Sequence, residues 1–155
     1  MDKKALIKVI GTQRFGRDKD KIELTTIGTF EETNDRYILR YTEEQEPPYA
    51  PVKTRLSIAK DKTIVELTRE GKSGSMLIIE RSKRNLCNYS TEFGDILMGI
   101  YGKNIDHDCD ERSGSFSFDY DIDINGAISS MNEVEVTYKL KNNQKNSGET
   151  DVSVS

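Results

Sequence analysis

Alternation of apolar and polar residues dominates the chain, and it is clearest between Ser115 and Leu140. There Phe116, Phe118, Tyr120, Ile122 and Ile124 alternate with Ser117, Asp119, Asp121 and Asp123. Successive side chains of a strand point to opposite faces, so this run reads as a strand with one dry face. Asn125-Gly126 follows, a dipeptide suited to the positive φ angles of a two-residue type I′ turn, and Val134, Val136, Tyr138 and Leu140 then restore the alternation. The pattern predicts a long β-hairpin.

The rest of the chain reads as more antiparallel sheet. Lys3 to Phe15 forms a first strand with apolar residues on both faces, so its inward side is open, and Arg14 to Lys21 supplies a turn. In the next strand Ile22 and Leu24 are in phase while Ile27 falls on the opposite parity, which suggests a β-bulge near Thr25-Thr26. Tyr37, Leu39 and Tyr41 mark a third strand. The loop Glu46 to Pro51 holds all three prolines and cannot be a central strand. Further strands are predicted around Leu56 and Ile58, over Ile64 to Arg69, Met76 to Glu80, Leu86 to Thr91 and Ile96 to Tyr101, with a turn at Gly71 to Gly74 and a polar connection from Asp106 to Gly114. No stretch shows a helical period. The result is an all-β chain, an antiparallel up-and-down barrel of about eight to ten strands spanning residues 1–141, with a polar, aperiodic and disordered tail over 142–155. Closing the sheet removes exposed edges, and about ten strands leave an interior wide enough for a cavity.

Composition narrows the function classes. The 155 residues are 34% hydrophobic and 32% charged, the balance of a sheet with one wet face. Net charge is -4 and the basic residues are dispersed, so a nucleic-acid footprint is not expected. The apolar run Ala5-Leu6-Ile7 is too short for a signal peptide and no membrane-length apolar run exists, so a cytoplasmic protein off the membrane is expected. Cys87 and Cys109 form no CxxC pair and read as ordinary reduced thiols.

Three acidic clusters invite a chemical reading. Asp121 to Asn125 with Gly126 matches the start of a calcium loop, but its twelfth position is Asn132 and its flanks alternate as strands; two carboxylates two residues apart on a strand are ~6.6 Å apart, too far to converge on one ion. Asp106 to Glu111 groups the sole histidine, His107, with acids and Cys109, and one His with one Cys does not close a zinc site. Glu133-Val134-Glu135 recurs in triphosphate-tunnel enzymes with a following Lys, but Thr137 stands there and both glutamates should point outward. With one histidine and no partner motif, no catalytic residue, metal or cofactor is assigned, and the chain reads as non-enzymatic.

Tyr41-Thr42-Glu43-Glu44, Lys53-Thr54, Val65 to Arg69 with Gly71, Tyr89-Ser90-Thr91 before Phe93-Gly94, and Phe118-Asp119-Tyr120 together resemble the YwiB-like family of uncharacterised bacterial proteins, grouped with the lipocalin-like calycin barrels. The resemblance implies a calycin-type barrel and, by analogy, a small-molecule ligand. Arg69 shares parity with Val65 and Leu67, so its guanidinium should face inward near a barrel mouth, where Glu44, Tyr89, Thr91 or an anionic ligand would pair it. The expected ligand-binding set is Arg69, Glu44, Tyr41, Tyr89, Thr91, Phe118, Tyr120 and Tyr138. The alternative is an interaction or assembly protein whose barrel is filled and whose outer face or edge does the work; the oligomeric state is open.

Overall fold

The computed structural model describes residues 2–70, 75–91 and 93–141. Ten antiparallel strands form one sheet: β1 (Lys3–Phe15), β2 (Asp18–Glu32), β3 (Arg36–Glu43), β4 (Val52–Ala59), β5 (Ile64–Arg69), β6 (Ser75–Glu80), β7 (Arg84–Thr91), β8 (Gly94–Cys109), β9 (Ser113–Ile124) and β10 (Ala127–Leu140). Their order in space is β6-β5-β4-β3-β2-β1-β10-β9-β8-β7, in which each pair of neighbours is consecutive in sequence except β1 and β10. The fold is all-β, with no helix among the described residues and hence none long and apolar enough to cross a membrane. The turn 71–74 and the tail 142–155 predicted above lie outside the described residues.

The barrel is nearly closed. β6 and β7 make no ladder, and the sheet's two ends meet where the turn after β6 touches β8: Ser82 N–H donates to Gly102 O at 2.9 Å and Gly102 N–H to Lys83 O at 3.1 Å. A side chain at Gly102 would collide with the backbone of Glu80, which is why glycine stands at this seam.

The predicted hairpin forms as β9 and β10, with Asn125 (φ 55) and Gly126 (φ 86) as the two turn residues. Inward rows are Ala5, Ile7 and Val9 on β1; Leu39 and Tyr41 on β3; Leu56 and Ile58 on β4; Phe116, Phe118 and Tyr120 on β9; Val136 and Tyr138 on β10, all in one contiguous core. Two sequence expectations are corrected. β2 runs against β1 in unbroken register from Lys3↔Phe30 to Phe15↔Asp18, so there is no bulge near Thr25-Thr26; Ile27 is an outward apolar residue facing outward Leu6. The real register shifts lie between Gly102 and Ile105 in β8 and between Ile128 and Ser130 in β10. The expected polar connection from Asp106 begins only after Cys109: β8 continues through Asp106, His107 and Asp108, because Ile105, His107 and Cys109 extend its inward row.

Candidate functional site

The two ends of the barrel differ. At the end bounded by the β2–β3, β4–β5 and β8–β9 turns, aromatic side chains meet across the axis. Tyr37 of β3 lies 5.6 Å from Phe116 of β9 and 5.1 Å from the His107 ring of β8, and Tyr138 stacks on Phe30 at 4.3 Å and on Phe116 at 5.7 Å. His107 Nε2 sits 2.9 Å from Lys60 O on the far wall, while Lys60 Nζ pairs with Glu32 at 2.6 Å and caps the Tyr37 ring at 5.2 Å. This end is a filled floor. Burial pushes the Tyr138 hydroxyl pKa far up, with the neighbouring Cys109 adding to it, and burial likewise raises the Cys109 thiol. Both groups stay protonated at neutral pH, so the floor offers no thiolate nucleophile.

The opposite end is open. β3 to β6 stop at Glu43, Val52, Arg69 and Ser75, while the β1–β2, β7–β8 and β9–β10 hairpins run further. Inward apolar residues on these overhanging walls stay exposed: Ile22 is 71% accessible and Phe15, Ile96 and Ile124 are each 38%. Gly11 lies in the same inward row as Ile7 and Val9, and a Cβ built on it would meet nothing within 4 Å. The open end is therefore a shallow cup with an apolar wall, and Tyr120, Asn132 and Ser130 bring buried polar groups to the same side.

On the low side of the cup stands a polar group of four. Arg69 Nη2 donates to Glu43 Oε1 at 3.2 Å, Thr54 Oγ1 donates to Glu43 Oε2 at 2.6 Å, and Tyr41 stands in the same inward row as Glu43. Arg69 Nε is buried and has no hydrogen-bond partner among the described residues. The Tyr41 hydroxyl is pushed up to about 12 by burial and then by the Glu43 carboxylate, partly offset by Arg69. Burial alone takes Tyr120 to about 12.

Arg69 and Tyr41 are thus brought together, but the arginine's partner is Glu43, not Glu44. Strand alternation carries Glu43 inward with Tyr41, and Glu44 lies past the end of β3, exposed. Phe118 and Tyr120 line the interior between floor and cup, 6.3 Å apart. Tyr138 belongs to the floor and not to the wall around Arg69. The side chains of Tyr89 and Thr91 lie outside the described residues.

The acidic clusters are held by cations. Asp123 takes a two-pronged bond from Arg84, Nε at 2.8 Å and Nη2 at 2.7 Å, lying over Gly99 where no Cβ would fit; Arg84 holds its carboxyl below the usual range. Asp121 pairs with Lys103 at 3.0 Å, Asp106 with Lys62 at 2.8 Å, and Glu133 and Glu135 point outward into solvent. No three His, Cys, Asp or Glu side chains among the described residues are placed to share a metal ion. Three surface grooves, of about 650, 520 and 360 Å³, lie on the floor's outer rim and on the outer wall, away from Arg69.

The chain has the fold of a solved protein: the crystal structure of the ywiB protein from Bacillus subtilis superposes with a TM-score of 0.77 over 91% of this chain and 94% of that one, at 20% sequence identity. No curated protein matches. The model of a domain of unknown function, DUF1934, matches residues 7–136, and the chain belongs to that family.

Proposed function

We propose that the protein is a non-enzymatic binder of a small amphipathic molecule, held in the cup at the open end. The observation that carries this reading is the row of large apolar side chains, Phe15, Ile22, Ile96 and Ile124, that face the axis and yet remain exposed beside the open space over Gly11. Apolar surface turned inward and left wet is where a ligand gains most from burial. The floor of Phe30, Tyr37, Phe116 and Tyr138 is filled, so the ligand is one that lies in a cup and does not thread a tunnel. Its polar end is an acceptor, a carboxylate or carbonyl, because the group beside the cup that has no partner among the described residues is a donor, Arg69 Nε. The pairing of Arg69 with Glu43 already offsets part of that cation's charge, so a carbonyl also serves as the acceptor. Kinship with the calycins and a cytoplasmic setting belong to this same proposal.

Titration with a fluorescent fatty carboxylate tests it. The parent should bind, Gly11→Leu should abolish binding by filling the cup without unfolding the protein, and Arg69→Met should weaken it by about tenfold, the worth of one charge-assisted hydrogen bond. A parent that binds nothing above background, or a Gly11→Leu variant that binds like the parent, overturns the reading.

A further inference from the structure

β2 is fifteen residues long, but β3 pairs only with its last five, Gly28↔Tyr41 to Glu32↔Tyr37. Beyond Tyr41, β3 continues against β4 alone. Residues 18–27 of β2 therefore keep β1 on one side and, among the described residues, have no strand on the other. None of the loop and turn backbone hydrogen bonds among the described residues reaches them. Such an edge is a ready template for another strand.

The sequence along the edge is Asp18-Lys19-Asp20-Lys21-Ile22-Glu23-Leu24-Thr25-Thr26-Ile27. Charges on an edge usually prevent pairing, because a second copy of the same strand brings like charges together in most registers. A two-fold axis perpendicular to the sheet sets inward residues opposite inward ones. Centring it on Asp20, Lys21 or Glu23 puts that residue opposite its own copy, a like-charge clash in each case. Centring it on Ile22 does the reverse. Ile22 then faces Ile22 on the inner side, Lys21 of each copy faces Glu23 of the other on the outer side, and nine residues pair, from Asp18 opposite Thr26 to Thr26 opposite Asp18. Centring on Leu24 also avoids like charges but pairs seven residues, because Gly28 is already engaged by β3, and offers no ion pair.

The exposure of the edge side chains suits the first register. Ile22, at its centre, is the most exposed of the inward apolar residues. Lys21 and Glu23 point outward, are both more than half exposed, and make only long contacts within the chain, 3.9 Å to each other and 4.0 Å between Glu23 and Lys8. We propose that this edge joins two copies of the chain into a symmetric dimer through antiparallel β2–β2 pairing centred on Ile22, which continues the sheet from one barrel into the next.

Sedimentation equilibrium on the full chain, in a dilution series reaching its highest soluble concentration, tests the proposal. The parent should show a monomer–dimer equilibrium. Lys21→Glu and Glu23→Lys alone each replace two attractive cross-strand pairs by repulsive ones and should weaken dimerisation by about tenfold. The double variant K21E/E23K restores opposite charges in the same register and should return dimerisation to near the parent's. Both sites are exposed on a strand edge, and thermal melts check that each of the three variants is folded. A parent that is monomeric throughout overturns the proposal. So does a dimer indifferent to the single reversals, or a double variant no better than either single one.

Discussion

Adding one methyl group at Gly28 should damage this barrel, whereas the same change at Gly11 should not. Gly28 sits on β2 where β1 and β3 flank it, between Ala5 and Tyr41. A Cβ there would run into the carbonyl oxygen of Arg40 and come within 2.8 Å of Ile7 Cδ1 and 3.0 Å of Tyr41 Cβ. Ile7 is fully buried and Tyr41 nearly so, and the Arg40 carbonyl belongs to the strand backbone, so none of the three can swing away. Overpacking of this kind costs about 1 to 3 kcal/mol. Replacing glycine by alanine within a strand also recovers about 0.5 to 1 kcal/mol of backbone entropy. Gly11→Ala collects that second term alone, since nothing stands within 4 Å of its Cβ. The difference between the two variants therefore isolates the clash. Differential scanning calorimetry should show Gly28→Ala melting below Gly11→Ala by about 2 to 4 °C for each kcal/mol in a domain of this size. The β2–β3 junction has five paired residues, so the loss should be accompanied by faster amide exchange at Glu31 and Ile38. Equal melting temperatures for the two variants would refute the close approach at Gly28.

Two further outcomes follow from the turn and the buried phenols. Gly126→Val puts a β-branched residue at φ 86 in the β9–β10 turn and should cost about 1 to 3 kcal/mol, while Gly11→Val, at a position without positive φ, should cost little; urea titrations of the two variants compare them, and equal midpoints would argue against the strained turn. Tyr41 and Tyr120 have pKa values raised from 10.0 to about 12, so the folded state favours their neutral form: that contribution is complete below pH 10 and is lost as pH rises from 10 to 12, at about 1.4 kcal/mol per pH unit for each group. Alkaline unfolding followed by circular dichroism should therefore be less steep in Tyr120→Phe, and a variant as pH-sensitive as the parent would show that Tyr120 is not held neutral.

Local signals in the sequence were sufficient for the elements and insufficient for their partners. The hairpin of β9 and β10, the bounds of β1 and the break at Glu46 to Pro51 all follow from parity, proline and the Asn125-Gly126 dipeptide. The inward side of β1 did not, because Leu6 and Ile10 are as apolar as Ile7 and Val9, and the choice is made by Phe30 and Tyr138 across the ladder. Ile27 imitated a bulge for the same reason: an outward apolar residue opposite outward Leu6 looks like a slipped phase. Parity within Tyr41-Thr42-Glu43-Glu44 already places Glu43, not Glu44, on the side of Tyr41, so the true partner of Arg69 was legible from alternation. His107 likewise lies in phase with Ile105 and Cys109, which marks an inward residue, but its acceptor, Lys60 O, is 47 residues away and leaves no local trace. Arg84 and Asp123 are 39 residues apart, and only Gly99, which leaves room for them, hints at their meeting.

The cup and the free edge have one geometric cause. β3 to β6 are six to eight residues long, and β1, β2, β8, β9 and β10 are twelve to sixteen. A barrel built from strands so unequal has a tall wall facing a low one. The tall wall's inward row, Phe15, Ile22 and Ile124, rises above the rim and stays wet, and the outermost long strand, β2, outruns its shorter neighbour and keeps an edge that is unpaired among the described residues. Ile22 belongs to both features: it lines the cup and lies at the centre of the proposed dimer register. A second copy's β2 would stand where β3 stops, raising the low wall beside Glu43 and Arg69. A ligand in the proposed cup and a second copy on the proposed edge would then engage the same residues, and by linkage each would change the affinity of the other by the same factor.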